Sequence, residues 1–129
     1  MQTNEKRNEI IRSFRKFSRL GLNFYDRNPI QTYKKIEILC SSRRARIEML
    51  SIYDTLRILY LNEETEIIEA VERVYFEGNA YRLTKHEIST RVLSLAHENH
   101  CDERTIYRRL ERARNLFEKV REREGLITD

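Results

Sequence analysis

The sequence is poor in the residues that interrupt helices. Its 129 residues include one proline, three glycines and no tryptophan. So few turn-forming residues leave little room for the many tight turns of a β-rich domain, and no Val and aromatic alternation predicts a strand. The low hydrophobic content of 40% and the charged content of 36% favour a narrow core under a heavily charged surface. We therefore predict an all-α fold, either one small domain or a small domain with an appendage.

Cysteine and long apolar runs are also scarce. Cys40 and Cys101 show no CxxC spacing and have no second pair, which excludes a disulfide framework and a typical zinc motif. Two free thiols in a reducing cytosol are the simplest interpretation. No apolar run has the length of a membrane span or of a signal-peptide core, so we expect a cytoplasmic protein that does not bind a membrane.

The pattern of histidines and glycines gives no indication of catalysis. His97 and His100 lie close to Cys101, but a zinc site needs a fourth ligand and a different spacing. The sequence has no Gly-rich phosphate loop and no nucleophile elbow. We expect neither an enzyme nor a bound metal or cofactor.

A strong helical pattern occupies residues 84–120. Thr84 and Glu87 have the spacing of a capping box, and Asp102 is a second good N-cap. Helical spacing places these residues on the apolar faces of two successive helices: Ile88, Val92, Leu95, Ala96, Ile106, Leu110, Ala113, Phe117 and Val120. The opposite faces are predicted to carry Arg104, Arg108, Arg109, Arg112 and Arg114. These features predict a C-terminal helix-turn-helix whose second helix enters a major groove.

The same segment resembles a known family. Thr105-Ile106, Arg108-Arg109-Leu110 and Arg112-Ala113 match the recognition helix in the fourth region of bacterial sigma factors, and Glu87-Ile88-Ser89 resembles the start of that family's first motif helix. The chain is most similar to the phage ArpU/RinA-type late-transcription regulators, through residues 103–108 and its basic, Tyr- and Lys-rich N-terminal half. Glu87 and Thr105 lie 18 positions apart, several more than in a compact sigma-like motif. Either the first motif helix or the turn must therefore be longer.

This resemblance implies a phage- or prophage-encoded transcriptional regulator that binds double-stranded DNA sequence-specifically, with RNA polymerase as a further candidate partner. From helix geometry, we expect Arg104 and Arg108 to contact base edges and Tyr107 to lie against phosphate or a thymine methyl group. The complete predicted DNA-binding set is Glu103, Arg104, Tyr107, Arg108, Glu111, Arg112, Arg43, Arg44 and Arg46.

The N-terminal half is strongly basic. Residues 1–46 contain twelve Lys and Arg against four Asp and Glu, a net charge of +8, whereas residues 62–79 carry a net charge of −5. A local field of this kind steers a polyanion even when the total charge is only +4. Arg43, Arg44 and Arg46 are either a solvated face or contacts to phosphate, and we expect that part of this basic face contacts phosphate.

Helix signals divide the chain into two regions. Residues 1–61 are predicted to hold a helix from Asn4 to about Leu20, which Gly21 ends, and a long helix from Pro29 to Leu61, with a weak point at Ser41-Ser42. Two apolar stripes on that long helix leave homo-oligomerisation open. Residues 62–129 are predicted to form the sigma-region-4-like domain, beginning with an Asn62-capped helix that Gly78 ends.

Two other functions fit the pattern. A DNA-recognition subunit of the small-terminase kind also joins a helix-turn-helix to an oligomerising helical region, but such subunits usually place the DNA-reading motif first. A helical protein-interaction module with a solvated arginine face is the other alternative. The helix caps, the apolar stripe and the arginines all predict the same helix-turn-helix, which favours the DNA-binding regulator.

Overall fold

The computed structural model describes residues 2–25, 28–78 and 80–127, apart from the side chains of residues 126 and 127. Within these ranges the fold is all-helical, as predicted, and contains no strand. The helices are α1 (Asn4–Arg19), α2 (Pro29–Leu39), α3 (Arg43–Leu61), α4 (Thr65–Val71), α5 (Lys85–Glu98) and α6 (Glu103–Ile127). A π-helical segment, Glu72–Phe76, continues α4. None of the described helices combines the length and apolarity that a membrane crossing requires.

The longest helix, α6, lies at the centre of the packing and contacts α1, α3, α4 and α5. Its predicted apolar stripe is confirmed, because Ile106, Leu110, Ala113, Phe117 and Val120 are all buried. Rings from three elements meet over this stripe: Phe14 of α1 lies 5.7 Å from Tyr75 and 5.7 Å from Phe117, measured between ring centroids. Buried residues of the predicted regions 1–61 and 62–129 belong to one core, so helices of both regions hold α6 in place.

The prediction of one long helix from Pro29 to Leu61 is wrong. Cys40 has extended backbone angles, and the chain starts a new helix with Ser42 as its N-cap, whose hydroxyl accepts a hydrogen bond from the Ala45 amide at 3.1 Å. A serine that caps the next helix competes with continuation of the previous one. The break lets α2 fold back on α3, where Tyr33 packs edge-on against Tyr53 at 5.5 Å. Homo-oligomerisation stays a prediction, without the long helix on which it was based.

Two predicted helix starts differ in detail. Thr3, not Asn4, caps α1 and accepts a hydrogen bond from the Lys6 amide at 3.1 Å. Asn62 does not begin the next helix but ends α3, since Glu63 adopts a left-handed backbone (φ 60°) and α4 starts only at Thr65. The left-handed residue reverses the chain before a new helix can form. Gly21 (φ 70°) and Gly78 (φ 84°) occur where helices were predicted to end.

A pair of carboxyl groups joins α3 to the end of α6. Asp54 is half-buried and shares a side-chain hydrogen bond with Glu124. Burial is the main cause that raises the pKa of Asp54 to about 7, and the bond to Glu124 and its negative charge add to the effect. Because two carboxyl groups can share a hydrogen bond only when one is protonated, this contact between α3 and α6 depends on pH.

We expect the free energy of unfolding to fall as the pH rises from about 4, where an aspartate titrates in an unfolded chain, to about 7. The folded state binds the Asp54 proton more tightly, so its stabilising effect is complete below the lower value and is lost above the higher one. Allowing for partial exposure, the loss should be about 1–2 kcal/mol. Urea denaturation at pH 5 and pH 8 measures it. Asp54→Asn should remove the difference, and Glu122→Gln, at an exposed position, should retain it; equal pH dependence in Asp54→Asn would contradict the assignment.

Candidate nucleic-acid interface

The predicted helix-turn-helix segment forms two consecutive helices with a short connection. The capping box at the start of α5 is confirmed: the Glu87 amide donates to Thr84 Oγ1 (3.1 Å) and the Thr84 amide donates to Glu87 Oε1 (3.2 Å). Helix α5 spans 14 residues and is followed by residues 99–102, in which His100 has a left-handed backbone (φ 52°). Asp102 caps α6 through its carboxylate, which accepts a hydrogen bond from the Arg104 amide at 2.8 Å. The large spacing between Glu87 and Thr105 is therefore taken up by a long first helix and a four-residue connection.

Packing fixes which side of α6 faces solvent. Val92, Leu95 and Ala96 of α5 are buried and Ile88 is half-buried, in the same core as the buried stripe of α6. The rotation of α6 about its axis is thus set by the core. Its first two turns expose the five residues predicted for the DNA-reading face: Glu103, Arg104, Tyr107, Arg108 and Glu111.

The two arginines predicted to contact bases have no competing partner among the residues that the structure describes. Among the described residues, neither Arg104 nor Arg108 lies within ion-pair distance of a carboxylate, and both side chains are exposed. Tyr107 between them keeps 40% of its surface exposed. Two free guanidinium groups, one helical turn apart beside an aromatic ring, can approach a ligand without breaking a contact of the fold.

Two other arginines of α6 already have partners within the fold. Arg112, predicted to contact DNA, is exposed and forms an ion pair with Glu64 at 3.3 Å. Such an exposed pair contributes little to stability, so it can be exchanged for a phosphate. Arg114, predicted to lie on the exposed side, is 7% exposed and donates to the Tyr75 hydroxyl at 2.7 Å and to Gln2 Oε1 at 2.9 Å. That prediction is wrong because the start of α1 and the π-helical segment cover this flank of α6.

Arg15 of α1 is a second buried arginine, in a helix whose other basic residues are exposed or half-buried. Its side chain is only 1% exposed. Its guanidinium donates to the carbonyl oxygens of Tyr75 (2.7 Å), Glu77 (3.0 Å) and Ala80 (2.8 Å from Nε). These carbonyls, together with that of Gly78 (3.4 Å), belong to the last turn of the π-helical segment and to the residues just after it, where the backbone has no helical partner for them. The one sequence signal was its position four residues after Ile11, at the border of the apolar stripe.

The predicted phosphate contacts on α3 lie far from the first turn of α6. Arg43 and Arg44 are exposed and border a depression that Glu48, Arg121 and Glu122 also line, next to the C-terminal end of α6. Arg46 donates to the carbonyl oxygens of Cys40 (3.2 Å) and Ser41 (3.3 Å) and thereby covers the end of α2. With a rise of about 1.5 Å per residue, this cluster lies roughly 25 Å along α6 from Arg104.

The sequence did not predict a cleft that adjoins the exposed face of α6. It has a volume of about 950 Å³ and lies between the first half of α1, residues 82–89 and the flank of α6 that carries Tyr107, Leu110 and Arg114. Six Arg and Lys residues line it: Arg7, Arg12, Arg15, Arg82, Lys85 and Arg114. No carboxylate of the described residues is part of its lining. The cleft is therefore a concentrated region of positive charge beside the predicted reading face.

Cysteine and histidine form no metal centre in the part of the chain that the structure describes, where no cluster of three or more His, Cys, Asp or Glu could hold a metal ion. Cys40 is buried and Cys101 is half-buried, and both are free thiols. His97, in the last turn of α5, and His100, in the α5–α6 connection, are exposed. The chemistry of this region is that of cationic and hydrogen-bonding side chains.

Comparisons with models of protein families, with curated proteins and with solved structures found no match to this chain. The similarity to the fourth region of sigma factors and to the ArpU/RinA-type regulators thus stays a prediction from the residues quoted above. What supports a function is the position, exposure and charge of the side chains on α6 and around the cleft.

Proposed function

We propose that this protein is a transcriptional regulator that binds double-stranded DNA sequence-specifically and inserts the first turns of α6 into the major groove. The main observation that supports this proposal is the exposed face of α6, on which Arg104 and Arg108 have no partner among the described residues. A major groove about 12 Å wide admits one α-helix, and recognition helices contact base edges with their N-terminal residues. Core packing holds this face outward before DNA arrives, so little ordering cost accompanies binding.

The chemistry of the face fits base recognition. An exposed guanidinium forms a bidentate contact to O6 and N7 of guanine, and a carboxylate accepts a hydrogen bond from N4 of cytosine. Arg104, Arg108, Glu103 and Glu111 supply both kinds of group within two turns. Glutamates among the arginines repel phosphate, which favours contact with bases over purely electrostatic binding.

The proposal is tested by selecting duplexes that the protein retains from a random or genomic library and sequencing them. Sequence-specific recognition predicts enrichment of a short motif at physiological salt. Retention of duplexes without an enriched motif would exclude sequence-specific regulation while leaving non-specific binding. No retention at low salt would favour a protein-interaction module. The experiment thus separates sequence-specific DNA recognition from non-specific DNA binding and from a protein-interaction role.

Removal of one base-contacting side chain should weaken binding to the selected motif. We expect Arg108→Ala to reduce the free energy of binding by about 1–3 kcal/mol and to relax the preference at one or two base pairs. Arg108→Lys should restore part of the affinity through its charge but not the base preference, because an ammonium cannot form the bidentate contact. Fluorescence anisotropy titrations with the motif and with single-base variants measure both effects.

Lys119→Ala is the matched control, since it removes one exposed positive charge from the same helix about three turns later. It should change affinity for all duplexes equally and only slightly. An Arg108→Ala variant that keeps both its affinity and its base preference would exclude Arg108 from the reading face.

A further inference from the structure

We propose that the basic cleft between α1, residues 82–89 and α6 binds consecutive phosphates of the DNA strand that borders the groove read by α6. This inference rests on the proposed function. It assigns the electrostatic contacts between the protein and DNA to a surface that includes the N-terminal helix, α1. Phosphate contacts position a DNA-binding protein on the duplex, whereas base contacts give it specificity. The cleft therefore would fix how deeply, and at what angle, α6 enters the groove.

The accessible cations of the cleft have no ion-pair partner in the described part of the chain. Arg7, Arg12, Arg82 and Lys85 line the cleft, and none of them forms an ion pair among the described residues. Several cations elsewhere on the surface are instead paired with glutamates, for example Lys6 with Glu118 at 3.5 Å, Arg73 with Glu98 at 2.8 Å and Arg121 with Glu48 at 3.3 Å. These four accessible cations lie in one concavity without a carboxylate partner. An anionic ligand that binds there would balance their charge.

Two buried arginines add to the field without being available for contact. Arg15 is held by backbone carbonyls, and Arg114 is held by Tyr75 and Gln2. Neither has a carboxylate as its hydrogen-bond partner among the described residues. Burial is the main cause that lowers the pKa of Arg15, the positive charge of Arg91 lowers it further, and the negative charge of Glu87 opposes this effect.

The position of the cleft indicates DNA as the source of the phosphates. Tyr107, which is adjacent to Arg108 on the reading face, is itself one of the lining residues. The cleft and the face thus share a boundary at Tyr107, so a DNA backbone beside the groove can reach the cations that line the cleft. The cluster of Arg43 and Arg44 lies roughly 25 Å along α6 from Arg104 and has Glu48 and Glu122 beside it.

Salt dependence of binding tests this assignment. Each phosphate contact that releases counterions adds about 0.9 to the slope of log affinity against log salt. For the intact protein and the selected duplex, we compare this slope with that of a variant combining Arg7→Ala, Arg12→Ala, Arg82→Ala and Lys85→Ala. We expect the slope to fall by about 2–4, with the base preference unchanged. Lys34→Ala with Lys35→Ala, at exposed positions of α2, is the control pair, and its slope should change by less than about 1.

All four substituted side chains lie at exposed or half-buried positions, and circular dichroism melts establish that each variant is folded. The two pairs Arg7→Ala with Arg12→Ala and Arg82→Ala with Lys85→Ala provide smaller perturbations, each expected to lower the slope by about half of the total. An unchanged slope in a folded variant that still selects the same motif would overturn the inference alone. Failure of the intact protein to bind any duplex would overturn the proposed function together with it.

Free phosphate is the other source of the same chemistry. Inorganic phosphate, added at constant ionic strength against chloride, provides the probe in a thermal melt without DNA. A stabilisation at low millimolar phosphate that the fourfold variant loses, together with an unchanged salt slope for DNA, would assign the cleft to a small anion and overturn the DNA-backbone assignment. A lowered slope without such stabilisation supports it.

Discussion

Replacing Arg15 by methionine is expected to lower the free energy of unfolding by about 3–5 kcal/mol. The guanidinium is 1% exposed and donates to four backbone carbonyl groups, those of Tyr75, Glu77, Gly78 and Ala80. Hydrogen bonds from a charged donor contribute about 1.5–3 kcal/mol each, and the cost of burying the charge offsets part of this sum. Methionine has similar length but no donor, so the carbonyls are left unsatisfied. Urea denaturation followed by circular dichroism measures the loss.

Lys16 provides the matched control, because it is the next residue of the same helix and is exposed. Lys16→Met should change stability by no more than about 0.5 kcal/mol. The stability of Arg15→Lys should lie between those of Arg15→Met and Lys16→Met, since one ammonium group keeps the charge but cannot reach all the carbonyls. If Arg15→Met were as stable as the unmodified protein, the carbonyls would have to be satisfied by water, and Arg15 would have no structural role.

The contribution of Arg15 extends to the candidate interface. It ties α1 to the segment that leads from the π-helical turn to the capping box of Thr84. That segment carries Arg82, and Lys85 begins α5 immediately after it. Loss of the tie is therefore expected to loosen two of the four accessible cations of the cleft as well as to destabilise the fold. DNA affinity measured well below the melting temperature separates these two effects.

The C-terminal helices were predicted well because independent local signals coincide there. The capping box at Thr84, the carboxylate of Asp102 and the apolar spacing from Ile106 to Val120 each define the same boundaries and the same buried face. Such signals act between residues three or four positions apart, which is the range that a sequence pattern reveals. The exposure of Arg104, Tyr107 and Arg108 follows directly from the buried stripe opposite them.

The break at residues 40–42 was harder to predict from local spacing. Apolar residues continue at helical intervals across it, so periodicity favours one long helix. The extended backbone at Cys40 is compatible with the fold because Cys40 is buried and because Arg46 satisfies carbonyls at the end of α2. These are tertiary and medium-range contacts that a helix pattern does not contain. Ser41-Ser42 marked the weak point but did not determine whether the helix bends or stops.

The basic cleft could not be predicted because its residues are distant in sequence. Arg7 and Arg12 precede Arg82 and Lys85 by about 70 positions, and only the packing of α1 beside α5 and α6 brings them together. Charge counting identified the N-terminal half as basic but could not distinguish α1 from the start of α3. The buried Arg114 illustrates the same point, since the positions of Tyr75 and Gln2 make an arginine acceptable on that flank of α6.

Replacing Leu110 by alanine should destabilise the protein by about 2–5 kcal/mol and abolish DNA binding through unfolding rather than through a lost contact. Leu110 is 1% exposed and belongs to the core in which α5 packs against α6. Truncation removes buried methyl groups and leaves a cavity that the rigid helices around it can fill only in part. Thermal melts and urea denaturation measure the change in stability.

Leu93→Ala is the appropriate comparison, because Leu93 lies on α5 with 55% of its surface exposed. It should alter the free energy of unfolding by less than about 0.5 kcal/mol. At a temperature where Leu110→Ala is still folded, its affinity for the selected duplex should be close to that of the unmodified protein, since Leu110 does not lie on the reading face. An unchanged melt for Leu110→Ala would mean that α6 does not pack through this side, and Arg104 and Arg108 would then not share an outward face.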